Sequence, residues 1–152
     1  MEIQSIRLQL LAVCNRFVAE RILAIEHAIA HAQASAAAET KSSMGDKYET
    51  ARAMAQQEAD HSRAQLADAM ALRSMLDQYA RQTPGDKIKV GSIVYTSQHN
   101  YFIAIPVGAV QVGDESFLVI SSVSPIGKLL MGKTAGDQIT WQGKLITVQR
   151  VQ

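Results

Sequence analysis

Apolar residues recur at steps of three and four over the first eighty positions, then give way to short strand-like runs separated by turn residues, so the chain splits into a helical and a strand-forming half. Neither Pro nor Gly occurs from Ile3 to Ala38, where one stripe reads Leu11, Cys14, Val18, Ile22, Ile25, Ile29, Ala32, Ala36. A second run free of both, from Asp46 to Gln82, carries Ala51, Ala55, Ala59, Ser62, Leu66, Ala69, Leu72, Leu76, Tyr79 at the same spacing. These patterns predict two amphipathic helices packed antiparallel, joined by a link from Glu39 to Gly45 of the usual αα-hairpin length. At 1.5 Å per residue each arm reaches about 50 Å. Leu, Val and Ile dominate one end of the stripes and Ala and Ser the end near the link, which predicts a thin distal end; the same Ala-rich stretch also simply maximises helix propensity.

Thr83-Pro84-Gly85-Asp86 ends the second helix and marks a boundary. Beyond it, Ile88 to Thr96, Tyr101 to Ile105, Phe117 to Ser121, Gln138 to Trp141 and Leu145 to Arg150 read as strands. Between the third and fourth, Ser124 is a candidate N-cap, Pro125 suits the first helical position and Gly132 can close a helix of one to two turns. The fold class is therefore α+β: an antiparallel α-helical coiled-coil hairpin over residues 1–82, then a small antiparallel sheet wrapping one short helix over residues 83–152.

With 152 residues, 47% hydrophobic and 19% charged, the composition is that of an ordinary folded protein rather than a disordered one. Nine Lys or Arg stand against ten Asp or Glu before Pro84 and six against four after it, so neither half is a polybasic arm for duplex nucleic acid. The lone cysteine, Cys14, lies in an apolar stripe and reads as a small core residue. Met1-Glu2-Ile3-Gln4 has no basic segment leading into an apolar one, and no stretch reaches the roughly 20 apolar residues of a membrane span. The expectation is a cytoplasmic protein with no membrane partner.

Candidate chemistry concentrates at Gly45-Asp46-Lys47-Tyr48-Glu49, where two carboxylates spaced Asp-x-x-Glu open the second helix. A pair on a stalk encloses no substrate, yet it can donate hard oxygen ligands to a metal site on another molecule. The same spacing is a capping box, in which Asp46 accepts from the Glu49 N–H and Glu49 reaches back; from spacing alone that is the commoner meaning. His27 and His31 have the i, i+4 spacing of metal ligands but sit opposite the Ile25 and Ile29 stripe, which favours solvated histidines over a metal site. Arg52 and Arg63 read as solvated charge first and as contacts to RNA or an acidic wall second.

The run Ser124-Pro125-Ile126-Gly127-Lys128-Leu129-Leu130-Met131-Gly132-Lys133-Thr134-Ala135-Gly136-Asp137 resembles the C-terminal signature of the Gre transcript-cleavage factors, Ser-Pro-Ile/Leu-Gly/Ala-x-x-Leu-x-Gly-Lys-x-x-Gly-Asp, which precedes the last two strands of an FKBP-like domain. Gly45-Asp46-x-x-Glu49-x-Ala51 is similar to that family's Gly-Asp-x-x-Glu-Asn-Ala, and Glu58 falls on a further acidic position. The resemblance implies a monomeric partner of bacterial RNA polymerase that is not itself an enzyme. Its coiled coil would enter the secondary channel, where Asp46 and Glu49 would help hold Mg2+ near the RNA 3′ end so that the polymerase cleaves backtracked RNA. The free protein would bind no metal. Partner contacts would come from Lys47, Tyr48 and Arg52 beside the carboxylates and from Ser124, Pro125, Lys128 and Lys133 in the second half. Three departures stand out: Lys47 replaces an aliphatic residue, Arg52 replaces a third acid, and the region from Tyr101 to Gly113 lacks the family's Tyr-Gln-Ile-Val-Gly. Some homologues of this kind occupy the channel and inhibit, and a coiled-coil adaptor whose carboxylates only cap a helix is a further alternative. Prolyl isomerisation is not implied, because Tyr95, Tyr101, Phe102, Phe117 and Trp141 form no isomerase motif.

Overall fold

The protein is described from a computed structural model that covers residues 2–39, 45–83 and 85–152, with side chains for residues 5–38, 49–83 and 85–152. It is α+β: two long helices, α1 (Glu2–Glu39) and α2 (Gly45–Ala80), precede a six-stranded mixed sheet and one short helix. Most of the link expected between the long helices, residues 40–44, lies outside the described residues, as does Pro84 of the boundary tetrapeptide. The helices run unbroken because nothing inside them removes a backbone donor or adds glycine's entropy cost. Every position of both apolar stripes is buried or half-buried, from Leu11 to Ala36 in α1 and from Ala51 to Tyr79 in α2.

The chain forms two compact units, Val18–Arg73 and Met1–Phe17 with Ser74–Gln152. In the first, Val18, Ile22, Ile25 and Ala32 of α1 and Ala59, Ser62 and Ala69 of α2 are buried. Towards the Ala-rich end, Ala32, Ser35 and Ala36 of α1 and Ala51, Met54 and Ala55 of α2 line a shallow pocket of about 240 Å3. The small side chains thus leave space between the helices.

In the second unit, Leu10, Leu11, Cys14, Leu76 and Tyr79 are buried, and Arg7 Nη2 donates to the Tyr79 carbonyl at 3.1 Å. The strands are β1 (Ile93–Thr96), β2 (Asn100–Ile103), β3 (Gly108–Val112), β4 (Glu115–Ile120), β5 (Gln138–Trp141) and β6 (Lys144–Val151), in spatial order β3-β4-β2-β1-β6-β5. All neighbours pair antiparallel except β2 and β4, which run parallel with Asn100 opposite Phe117. The expectation of an all-antiparallel sheet is corrected on this point. A strand absent from the sequence reading, β3, is the cause: β3 and β4 form a hairpin, and the hairpin docks through β4, which returns alongside β2 in the same direction. Gly113-Asp114 is its two-residue turn, with Val112 opposite Glu115 and Gly113 at φ 59°, the position where glycine is favoured.

The first strand is also shorter than expected. Ile88 bonds instead to the stretch after α3 (Pro125–Leu130), donating to Lys133 O at 2.8 Å and accepting from Gly132 N at 2.8 Å. Residues Lys89 to Ser92 close a turn, with Ser92 N donating to Lys89 O at 3.0 Å and Gly91 at φ 88°. That geometry needs glycine at the third position, and a Cβ there would lie 2.6 Å from Gln82 Oε1.

Both faces of the sheet are buried, which accounts for near-continuous apolar runs such as Ile93-Val94-Tyr95 and Tyr101-Phe102-Ile103. On one face Val94, Tyr101, Ile103, Ile139, Ile146 and Val148 pack with Ile126 and Leu130 of α3. Each of those two helix side chains contributes roughly 1.5–3 kcal/mol by burial. The other face carries Ile93, Tyr95, Phe102, Phe117 and Val119.

Candidate functional site

The acidic pair falls in the first turn of α2, since the helix opens at Gly45. Free N–H groups and the positive end of the helix dipole favour carboxylates there. Glu49 is exposed, and Arg52, one turn on, is exposed beside it. The side chains of Asp46, Lys47 and Tyr48 lie outside the described residues. Further along α2, Arg63 is exposed and pairs with Asp60 at 3.4 Å, the solvated charge that the sequence suggests. His27 and His31 are exposed as well, and His31 shares the shallow pocket between the helices with Glu58. Among the described residues no three His, Cys, Asp or Glu side chains come together.

The second cluster of candidate residues surrounds α3. Ser124 is its N-cap: the Ser124 Oγ accepts from Gly127 N at 3.1 Å and donates to Ser121 O at 2.7 Å. Pro125 occupies the first turn, where its missing N–H costs nothing. Gly127 is a packing requirement, since a Cβ there would collide with the Ser121 carbonyl oxygen. Lys128 is exposed in the last turn, on the favourable side of the helix dipole. The C-cap is Met131, whose N–H donates to Gly127 O; Gly132, expected to close the helix, instead takes the third position of the Leu130–Lys133 turn at φ 80° and donates its N–H to Ile88 O. Lys133 holds the exit through its backbone, donating to Leu130 O at 3.1 Å and accepting from Ile88 N.

The signature ends in a tight loop. Asp137 Oδ2 accepts from Thr134 N at 2.8 Å and Thr134 Oγ1 at 3.2 Å, while Asp137 N donates back to Thr134 O at 3.0 Å. The hydrogen bond from the Thr134 backbone is the largest influence and lowers the Asp137 pKa; desolvation opposes it, and the Thr134 hydroxyl and the charge of Lys133 add smaller lowering contributions. Thus Ser124, Pro125, Lys128 and Lys133 are gathered around one short helix in one compact unit, whereas Glu49 and Arg52 belong to the other.

Beside α3 the sheet opens into a pocket of about 260 Å3 that the sequence reading missed. Its floor is Tyr101, Leu118, Ile120, Ile126 and Ile146, with Trp141 at one side; Gln98, His99, Gln142 and Lys144 form the rim. Two turns shape it. In the first, Thr96 Oγ1 donates to His99 O at 2.6 Å and accepts from the N–H groups of Gln98 and His99 at 3.1 Å each. In the second, Trp141 pairs with Lys144 across Gln142-Gly143, both at positive φ (52° and 76°), the two-residue hairpin turn that matches sheet twist. One signal in the sequence pointed here: Lys144 shares the core-facing register of Ile146 and Val148, where alternation calls for an apolar residue.

No protein-family model matches this chain, and no curated protein matches it either.

Proposed function

We propose that this protein is a Gre-type accessory factor of bacterial RNA polymerase, acting as a cytoplasmic monomer. In this reading α1 and α2 form an antiparallel coiled-coil hairpin over residues 1–82, and residues 83–152 are the FKBP-like domain that docks on the polymerase. The observation that carries the reading is the run from Ser124 to Asp137. Its Ser-Pro start caps α3, its Gly127 allows the close approach to Ser121, and its Gly-Asp end closes the loop into β5 and β6. A signature whose individual residues each have a structural task in this order is a stronger basis than a spacing match alone.

Asp46 and Glu49 fit a shared magnesium site, because Mg2+ takes one or two carboxylates from a protein and fills its remaining positions with water or phosphate oxygens. When bound, the ion supplies Lewis acidity to the polymerase's own hydrolysis of backtracked RNA. The roles of this chain are to present the two carboxylates at the RNA 3′ end and, through Lys47, Tyr48 and Arg52, to touch the channel around them. Ser124, Pro125, Lys128 and Lys133 contact the polymerase from outside the channel. Arg52 favours a second reading, a channel-binding regulator without cleavage, since it is exposed one turn from Glu49 and sets a positive charge where the family pattern has an acid.

Asp46→Asn separates these readings, because Asn keeps the size and hydrogen-bonding oxygen of Asp in the first turn of α2 but removes the anionic oxygen that Mg2+ prefers. A cleavage factor should keep polymerase binding and thermal stability and lose Mg2+-dependent RNA cleavage in backtracked complexes. A wild-type protein that binds polymerase and stimulates no cleavage establishes the regulator. Absence of polymerase binding leaves the adaptor, and cleavage by Asp46→Asn at the wild-type rate across limiting Mg2+ refutes the metal role.

A further inference from the structure

We infer that the pocket beside α3 binds a small monocarboxylate with an aryl or branched-aliphatic body, its carboxylate held at Lys144. The apolar body would rest on Leu118, Ile120, Ile126 and Ile146 against the face of Trp141. Nothing in this assignment depends on the transcriptional reading. Four features of the site support it.

The first is charge. Lys144 lines the pocket on the core-facing side of β6, no Asp or Glu lines it, and Lys144 has no ion-pair partner among the described residues. A lone cation above an apolar floor selects a ligand with an anionic head and an apolar body. The second is the rim amides. Gln98 and Gln142 line the same pocket as Lys144, and their amides can donate to the second carboxylate oxygen.

Backbone conformation is the third feature. Gln142 is the only described non-glycine residue at positive φ, in a turn type that prefers Asn or Gly at that position. Gln is a poor choice for the turn, and its side chain is on the pocket rim, so the position serves the pocket at the expense of the turn. The fourth feature is rigidity. Thr96 fixes the Gln98–His99 turn, and Ser97 ties it to β6 by exchanging bonds with Thr147: Ser97 N to Thr147 O and Thr147 N to Ser97 Oγ, both at 3.0 Å. His99 packs edge-on against Tyr101 at 6.3 Å. A preformed rim lowers the ordering cost of binding. At about 260 Å3 the space lies below the roughly 300–1,000 Å3 of drug-sized sites, which sets the ligand at the size of one aromatic acid.

The same chemistry, a carboxylate beside an apolar side chain, also occurs at a peptide C-terminus, so the test carries both. Trp141 is the only tryptophan and lines the pocket, giving a direct fluorescence readout in the full chain. With 3-phenylpropionate the signal should saturate below about 10 mM. The neutral 3-phenylpropanamide, acetate, and an N-acetylated peptide ending in phenylalanine should each bind at least about tenfold more weakly. Lys144→Gln should lose about tenfold in affinity with its thermal midpoint unchanged. Gln142→Gly should move the two readouts in opposite directions, raising the thermal midpoint and weakening 3-phenylpropionate. The assignment is overturned if no titration saturates, if acid and amide bind alike, if the peptide binds more tightly than the free acid, or if both variants keep wild-type affinity.

Discussion

Replacing Gly127 by alanine adds one methyl group at the most crowded point of α3. The new Cβ would run into the Ser121 carbonyl oxygen and lie 2.8 Å from Ser124 Oγ. The hydroxyl can rotate away, but the carbonyl is backbone and already accepts from both Ser124 Oγ (2.7 Å) and Ser124 N (3.2 Å). Moving it weakens two hydrogen bonds worth about 1 kcal/mol each, and overpacking of this kind costs about 1–3 kcal/mol. Alanine returns at most about 1 kcal/mol in helix propensity. The net expectation is a destabilisation of about 2 kcal/mol, or roughly 4–8 °C in thermal midpoint for a chain of this length. Urea unfolding followed by Trp141 fluorescence reads the sheet unit, and far-UV circular dichroism in parallel separates it from the helices if the two units melt apart. A Gly127→Ala midpoint equal to or above wild type, with the urea slope unchanged, would refute the packing argument and show that the Ser121 carbonyl relaxes freely.

Three further outcomes follow from described contacts. Burial of Cys14 in α1 pushes its thiol pKa up to about 12, so a thiol reagent at pH 8 should label it only at the rate of opening, and labelling as fast as a free thiol contradicts its core placement. Asp137 has a folded pKa below its ordinary 3.8, so its stabilising effect is complete above that value and is lost as pH falls through the lowered one; Asp137→Asn should flatten the acid limb of stability against pH, and an unaltered limb counts against it. Leu130→Ala, at a fully buried site between α3 and the sheet, should cost about 2–5 kcal/mol by urea denaturation, and a loss under 1 kcal/mol would mean that the site collapses around the smaller side chain.

Elements with a strong period or a local cap are legible in the sequence: both long helices, their buried stripes, and α3 with its Ser124 cap. Spacing fixes which side of a helix is buried, and cap chemistry is local. The sheet was less legible. Gly108-Ala109-Val110 opens β3 with small residues and gives little strand signal, so the Gly113-Asp114 turn is the main local sign of the hairpin. Without β3 the parallel β2–β4 pair could not be foreseen, because its direction is set by how many reversals separate the strands. Residues 88–92 have the composition of a strand, but the Gly91 turn and the bonds from Ile88 to the α3 exit override propensity. As for candidate residues, the α3 cluster was visible because its motif is contiguous. The pocket was not, because Gln98, Leu118 and the Trp141–Lys144 hairpin come from three separated segments that only the strand order brings together.

The division of the chain also sets an order of events during synthesis. Residues from Met1 to Phe17 share a compact unit with those from Ser74 onward, so the whole Val18–Arg73 stretch must leave the ribosome before Leu10, Leu11 and Cys14 can meet their partners. Helix propagates locally and quickly, whereas closing so long a loop carries an entropy cost that only the later contacts repay. The apolar stripe of Leu10, Leu11 and Cys14 therefore stays without its partners until the residues from Ser74 onward have been made.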